Sequence, residues 1–296
     1  MVESIRRNTL NATMEHDLLD QMTDAALRAG AIALDYFRPG AKTSARIDSK
    51  EGGSPVTEAD HAVDAFLARE LMAALPQAGW LSEETVDDPA RLTRDLAFIV
   101  DPIDGTRAFM AGDARWAVCI ALVERGLPIA GVVHLPAMGQ TFVAHRGGGA
   151  FRNKERIAVS ARASLAGGLI AGPILMLKGL CEGGLDLRIE PRIPSLAYRF
   201  VRVAEGSLDA GIASTNACDW DIAAADIILQ EAGGGLKDPR GLSPLYNQPT
   251  TRHGLLGAAP GQLQDEMTAI LQRAFDQARR NLSLIHISEP TRPERI

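Results

Sequence analysis

Two carboxylates, Asp101 and Asp104, follow the apolar run LAFIV in the stretch IVDPIDGTRAF. Pro102 fixes the backbone between them and Gly105 permits a turn, so both side chains can point into one cavity. Two like charges about 5 Å apart repel by about 3 kcal/mol at an effective dielectric constant of about 20, which favours a bound cation. Hard oxygen ligands of this kind suit Mg²⁺ or Mn²⁺.

Further acids stand where turn or helix-start signals would expose them. Glu83 and Glu84 follow the strand-like GWLS. Asp60 lies in the first turn of a predicted helix, and Asp221 lies at the start of another, in CDWDIAAADIILQEAGG. Taken singly, each is also typical of a helix cap, a first-turn acid or a solvated loop. The six histidines are scattered, so the sequence does not predict a zinc site.

Two helices and a sheet are predicted to position the acids of the first half. Apolar residues recur at helical spacing from His16 to Phe37 and from Glu58 to Leu75, and both segments end near a proline. From Leu96 to Ala150, short apolar runs alternate with Gly, Pro and Asp turns, which is typical of a largely antiparallel sheet. The first half is therefore predicted to be α+β.

Strand-like and helix-like segments alternate in the second half, in the order LIAG, SLAYRFVRVAEG, LDAGIA and DIAAADIILQEAG. This order predicts an α/β unit. We place the boundary near residue 155, which gives an α+β domain over 15–155 with most of the acids and an α/β domain over 156–282 that completes the site. Residues 283–296 are broken by proline and resemble translated linker sequence, so they are predicted to be a non-native tail.

The composition limits the partners. The net charge of −6, from 37 acids and 31 bases, argues against a nucleic-acid partner. No membrane span is predicted, because the longest weakly polar run, Leu165 to Leu177, is too short. The first residues lack the apolar core of a secretory signal, and the three cysteines form no CxxC pair, so we expect a cytoplasmic location. The sequence leaves monomer and homodimer open.

Four segments, SPVTEAD, WLSEE, DPIDGTRAF and DWDIAAADIILQEAGG, together resemble the signature segments of the inositol monophosphatase-like superfamily of metal-dependent, lithium-sensitive phosphatases. The resemblance spans about residues 17–259. It implies a layered αβαβα sandwich of the inositol monophosphatase/fructose bisphosphatase type. It also implies a phosphoric monoester hydrolase that lithium inhibits.

The same resemblance implies a metal site with two or three Mg²⁺ ions, for which Mn²⁺ is a substitute. On matching positions, its ligands are Glu83, Asp101, the backbone carbonyl of Ile103, Asp104 and Asp221. These ions would bridge the phosphate of a small phosphorylated substrate, which the acids alone would repel.

The catalytic groups also follow from the resemblance. A metal-bound water would be activated near Glu83 and the hydroxyl of Thr106, and Asp60 would orient Thr106. The backbone amides of Gly105 and Thr106 would donate hydrogen bonds to the phosphate oxygens. No covalent nucleophile is then required.

The substrate prediction rests on departures from the inositol phosphatases. In those enzymes, the DPIDGT motif continues as Thr-Asn-Phe. An acid seven residues before the aspartate of the WD pair accepts hydrogen bonds from the inositol hydroxyls. Here Arg107 follows the threonine, and Ser214 takes the place of the acid. SPVTEAD, WLSEE and NACDWD look closer to bacterial 3'(2'),5'-bisphosphate nucleotidases, which remove the 3'-phosphate of adenosine 3',5'-bisphosphate left over from sulfate assimilation. We therefore predict that activity, with AMP and phosphate as products.

Further residues match positions that border the ligand in this superfamily. Ser195 and Ala197 lie in PSLAYRF and are predicted to contact the substrate. Asp219 is a candidate contact on the sugar side, and a helix cap fits it equally well. Tyr198 and Arg199 could face a nucleotide, although a pair on a helix surface is the favoured interpretation.

Two other functions stay open. One is an inositol-1-monophosphatase or another small sugar-phosphate phosphatase. The other is a catalytically idle relative that binds metal and phosphate. The complete set of acids argues against the idle relative.

Overall fold

The structure is a computed structural model that describes residues 12–49 and 53–287. Its helices are α1 (Ala12–Tyr36), α2 (Glu58–Ala74), α3 (Thr106–Ala111), α4 (Ile174–Glu182), α5 (Leu196–Ala204), α6 (Asp219–Glu231) and α7 (Gln264–Ile287). Its strands are β1 (Ile47–Ser49), β2 (Pro55–Thr57), β3 (Gly79–Ser82), β4 (Leu96–Asp104), β5 (Ala117–Glu124), β6 (Leu127–Leu135), β7 (Gln140–His145), β8 (Gly149–Arg152), β9 (Glu155–Arg156), β10 (Gly168–Ala171), β11 (Leu187–Ile189), β12 (Ala210–Ala213), β13 (Gly234–Lys237) and β14 (Leu256–Pro260).

Helices α1 and α2 form where the apolar spacing predicts them. α1 buries a stripe that includes Met22 and Ala29. α2 begins with a capping box, in which the side chains of Thr57 and Asp60 each accept a hydrogen bond from the backbone of the other residue. It ends before Pro76, which cannot continue a helix.

A seven-stranded sheet runs in the order β3-β4-β5-β6-β7-β8-β9. β3 lies parallel to β4 and every later neighbour is antiparallel, which confirms the predicted sheet. Strand β4 is buried along its whole length. Its pairing with β5 shifts register between Asp101 and Asp104, where Pro102 has no amide hydrogen to donate. The bulge redirects the end of β4, where both aspartates lie.

A second sheet runs in the order β11-β10-β12-β14-β13, with α5 and α6 between the two sheets. α1 and α2 cover the outer face of the first sheet, and α4 and α7 cover the second. The layers confirm the αβαβα sandwich. The second sheet is mixed, because β14 is antiparallel to β12 and β13, whereas the alternating pattern alone indicated an α/β unit.

The core between the sheets joins both halves of the chain, with Ile99 and Phe142 from the first half and Phe200 and Ile228 from the second. The domain boundary near residue 155 therefore stays a prediction. α7 continues to Ile287, into the predicted tail, while residues 288–296 lie outside the described residues. None of the helices described here is long and apolar enough to cross a lipid bilayer.

Candidate active site

Three aspartates meet at the end of the first sheet. One carboxylate oxygen from each of Asp101, Asp104 and Asp221 lies within 4.8 Å of the others. Asp101 and Asp104 are carried by the bulged end of β4, and Asp221 by the first turn of α6. The carboxylate of Asp221 accepts a hydrogen bond from the amide of Cys218 over 2.6 Å, which fixes it at the helix start. The predicted convergence of these three acids is therefore present.

The bulge of β4 is held by short local hydrogen bonds. Asp101 Oδ1 accepts from the amide of Ile103 over 3.0 Å. The hydroxyl of Thr106 donates to the carbonyl of Ile103 over 3.2 Å. Gly105, with φ of 96°, makes the left-handed turn that starts α3. The predicted ligand carbonyl of Ile103 therefore accepts a hydrogen bond from Thr106, and the predicted contact from Asp60 to Thr106 stays a prediction.

Asp104 is held by the first residues of α5. Its Oδ2 accepts from Ser195 Oγ over 2.5 Å and from the amide of Ala197 over 2.7 Å, and its Oδ1 accepts from the amide of Leu196 over 3.2 Å. Ser195 Oγ also accepts from the amide of Tyr198 over 2.9 Å, so it caps the helix. A helix N-terminus favours a negative charge at this position. The site therefore forms only when both halves of the chain pack together.

Glu83 and Asp60 bring further negative charge to the cluster. Glu83 is half-buried in the turn after β3, and its amide donates to the carbonyl of Val100 over 3.3 Å. Asp60 is buried at the start of α2. The charges of both residues raise the pKa of Asp101, so the five predicted acids share one electrostatic environment.

Burial raises the pKa of all three clustered aspartates. The pKa of Asp221 rises to about 8, through burial and then the charge of Asp104. The pKa of Asp104 rises to about 6 through burial, and the hydrogen bonds from Ser195, Ala197 and Leu196 limit the rise. Burial, followed by the charge of Glu83, raises the pKa of Asp101 well above its ordinary range. The ionised cluster is therefore unfavourable without a cation, and its all-oxygen donor set fits Mg²⁺.

A contact that the sequence analysis missed supports the turn with Glu83. Asp64 accepts hydrogen bonds from Ser82 Oγ over 2.5 Å and from Thr85 Oγ1 over 2.7 Å. Asp64 lies one helical turn after Asp60, so one face of α2 supports two parts of the site. The spacing of the two acids in TEADHAVD was the available signal.

Three residues that were predicted to contact the substrate are buried, which argues against direct contact. Ser195 and Asp219 are 0% exposed and Ala197 is 1% exposed. Ser195 and Ala197 instead hold Asp104. Asp219 Oδ1 lies 2.6 Å from His253 Nε2, and its Oδ2 accepts from the amide of Asn247 over 2.8 Å. In this structure Asp219 ties α6 to the loop before β14.

A cavity of about 270 Å³ adjoins the cluster. Its lining includes Asp104, Asp221 and Arg199, with the exposed residues 214–216 at its mouth. The interpretation of Tyr198 and Arg199 as a helix-surface pair is wrong, because Tyr198 is buried in the core and Arg199 is a half-buried part of the cavity wall. A larger cavity of about 610 Å³, between α1 and strands β7 and β8, lies away from the cluster, and Asp20 is the one acid among the described residues that line it.

Comparison with known proteins places the chain among phosphatases. The sequence model of the inositol monophosphatase family matches residues 15–275. A histidinol-phosphatase of Mycobacterium tuberculosis is 36% identical over 267 residues, which is 86% of this chain and 97% of that protein. An inositol-1-monophosphatase of Mesorhizobium japonicum is 34% identical, over 76% of this chain and 86% of that protein.

Two further comparisons show a nucleotidase and a matching fold. A 3'(2'),5'-bisphosphate nucleotidase of Aggregatibacter actinomycetemcomitans is 29% identical, over 78% of this chain and 88% of that protein. The solved structure of a Thermotoga maritima IMPase superposes with a TM-score of 0.76 at 28% identity, over 88% of this chain and 99% of that one. The predicted superfamily and enzyme class are thus confirmed: the chain belongs to the inositol monophosphatase family of phosphatases.

Proposed function

We propose that the chain is a Mg²⁺-dependent phosphomonoesterase that converts adenosine 3',5'-bisphosphate to AMP and phosphate. The observation that carries metal dependence is the convergence of Asp101, Asp104 and Asp221 within 4.8 Å. Such a cluster repels a phosphate group, so a phosphatase with this site requires cations to bind its substrate.

Mg²⁺ would be held by the carboxylates of Glu83, Asp101, Asp104 and Asp221 and by the carbonyl of Ile103. When bound, Mg²⁺ supplies Lewis-acid activation of the phosphoryl group and of the attacking water. Mn²⁺ is the expected substitute, because it takes the same hard oxygen ligands.

The chain's own groups orient the reaction. We assign Glu83 and the Thr106 hydroxyl to orient the attacking water, with Asp60 holding Thr106. The amides of Gly105 and Thr106, at the start of α3, are assigned to donate to the phosphate oxygens. Ser195 fixes the carboxylate of Asp104 through a hydrogen bond of 2.5 Å, so that one ligand position is set before the substrate arrives.

The cavity mouth supports the choice of a nucleotide. Ser214, Thr215 and Asn216 are exposed there and uncharged. Ser214 offers no carboxylate to accept hydrogen bonds from the hydroxyls of an inositol ring. Histidinol phosphate carries an ammonium group, which the nearby guanidinium of Arg199 disfavours.

Histidinol phosphate and inositol 1-phosphate stay as second candidate substrates, because two relatives of similar length are named for these activities. The histidinol-phosphatase is 36% identical and the inositol-1-monophosphatase 34% identical to this chain. A catalytically idle relative is disfavoured, because Asp60, Glu83, Thr106 and the three clustered aspartates are all present.

A substrate panel tests the proposal. Phosphate release is measured from adenosine 3',5'-bisphosphate, inositol 1-phosphate, fructose 1,6-bisphosphate and histidinol phosphate, each with Mg²⁺ and with a chelator. We expect the highest kcat/KM for the nucleotide, no release in chelator, and inhibition by lithium. A preference for inositol phosphate or histidinol phosphate would overturn the substrate assignment. A cytoplasmic location and a role in removing the by-product of sulfate assimilation belong to the same proposal.

A further inference from the structure

The active-site cavity carries a guanidinium that the metal cluster does not require. Arg199 lies on α5, one turn after the helix cap Ser195, and lines the cavity together with Asp104 and Asp221. Its Nη1 donates to the carbonyl of Ile212 over 2.6 Å, and its Nη2 donates to the carbonyl of Ile193 over 3.0 Å. Because each Nη carries two hydrogens, one N–H on each nitrogen is left over after these bonds.

The guanidinium of Arg199 is held in place by hydrogen bonds and is largely desolvated. Its two carbonyl partners come from different segments, the end of β12 and the loop before α5, so the guanidinium is fixed on both sides. Among the described residues, its buried Nε has no hydrogen-bond partner. Burial lowers the pKa of Arg199 to about 10, which still leaves it charged at neutral pH. A desolvated cation with spare donors gains strongly from an anion.

Two other arginines lie near Arg199 through the loop before α5. Arg192 is exposed in the loop before α5, close enough for its charge to act on Arg199. Arg115 Nη1 donates to the carbonyl of Arg192 over 3.1 Å, and its own charge is paired with Asp113. Arg199 thus brings positive charge to the cavity beside the acidic cluster, and the charge of Arg192 lies near it.

We propose that Arg199 binds a second anionic group of the substrate, the phosphate that is not hydrolysed, with Arg192 adding to the positive potential at the rim. This inference rests on the proposed function and names the group that selects the substrate. The metal cluster binds the phosphate that is hydrolysed, and the guanidinium of Arg199 binds the phosphate that is retained. A substrate with one phosphate cannot use both parts of the cavity, so Arg199 is a specificity determinant for bisphosphorylated substrates.

Arg199→Gln, compared on the matched substrates adenosine 3',5'-bisphosphate and 3'-AMP, tests the inference. The charged contact to the second phosphate is lost, so we expect KM for the bisphosphate to rise by about 10- to 100-fold. KM for 3'-AMP should change less than about 2-fold, because that substrate lacks the second phosphate. Arg202→Gln is the matched control, since Arg202 lies on the same helix and pairs with Glu190 over 2.5 Å. This control should leave the ratio of the two kcat/KM values unchanged.

Arg192→Gln is the second variant and changes only an exposed side chain. It should raise KM for the bisphosphate by a few-fold at low salt and by less at high salt, because the charge at the rim is screened. Wild-type protein that hydrolyses neither nucleotide overturns the proposed function, and the inference falls with it. Wild-type protein that hydrolyses both, with the ratio unchanged in Arg199→Gln, overturns the inference alone. An equal loss on both substrates assigns Arg199 to the scaffold and also overturns it.

Discussion

Asp104, at the end of β4, accepts a hydrogen bond from the amide of Ala197, at the start of α5, with 2.7 Å between Oδ2 and the nitrogen. This bond joins the seven-stranded sheet to a helix that lies between the two sheets. The ligand position of Asp104 is therefore set by a long-range contact as well as by its own strand.

Asp104→Asn should remove at least about 99% of kcat while the fold is retained. The variant loses one carboxylate charge, but its remaining side-chain oxygen can still accept the hydrogen bond from the amide of Ala197. Turnover under saturating Mg²⁺ and the thermal unfolding midpoint measure the two effects. Asp113→Asn, which changes a surface ion pair, is the control. Unchanged turnover in the Asp104 variant would reject the metal assignment.

Ser195→Ala should weaken the metal site more than the fold. It removes the 2.5 Å bond to Asp104, so the Mg²⁺ concentration for half-maximal activity should rise about 10-fold. It also removes the cap of α5, which costs about 1 kcal/mol in the free energy of unfolding. Ser207→Ala, near the other end of α5, should leave the Mg²⁺ dependence unchanged. A stability loss without a change in Mg²⁺ dependence would show that Ser195 acts only as a helix cap.

Asp64→Ala should lower kcat although Asp64 is not among the predicted metal ligands. Its loss frees the turn that carries Glu83, because Ser82 and Thr85 lose their common acceptor. We expect a decrease of about 10-fold in kcat, with a higher Mg²⁺ requirement. The double variant Asp64→Ala/Ser82→Ala should lose little more than Asp64→Ala alone, because both changes break the same bond. Additive losses would contradict this coupling.

The metal-free protein should become less stable as the pH rises. The pKa of Asp104 and of Asp221 rises in the folded protein from an ordinary 3.8 to about 6 and about 8, so protonation of these groups favours folding. That stability is complete below about pH 4 and is lost as the pH passes through both folded-state values. Mg²⁺ needs the ionised carboxylates, so its stabilising effect should grow over the same window.

Thermal unfolding between about pH 5.5 and pH 8.5, with chelator and with Mg²⁺, measures this dependence. Burial also raises the pKa of Asp226 to about 6, with the same sign, so Asp221→Asn is needed to isolate the cluster. This variant should show a flatter pH dependence without metal. A larger Mg²⁺ effect at low pH than at high pH would contradict the prediction.

Local sequence patterns predicted the positions of the three aspartates at a strand end and a helix start, and the family resemblance joined them into one metal site. Pro102 and Gly105 mark the bulge and the turn around Asp101 and Asp104, and a helix-start pattern marks Asp221. The periodic segments likewise predicted α1, α2 and the antiparallel sheet. In each case the signal lies within a few residues of the feature, where backbone sterics and helix capping act.

The parts that the sequence did not reveal depend on contacts between distant residues. Ser195 and Asp104 are 91 positions apart, and Asp219 and His253 are 34 apart. A single sequence does not distinguish a buried aspartate that has a hydrogen-bond partner from an aspartate that is exposed to solvent. Arg199 is a further case, because the sequence allowed it to face a nucleotide, but the helical pattern of α5 favoured a position on the helix surface. Burial and pairing, rather than residue type, decided these roles.

Phosphate release from adenosine 3',5'-bisphosphate, measured after chelation and again after Mg²⁺ is added back, tests the central claim most directly. We predict no release above background in chelator and full recovery with Mg²⁺, with no recovery in Asp101→Asn. Undiminished release in chelator, or full recovery in Asp101→Asn, would contradict the claim that the clustered aspartates hold the metal for catalysis.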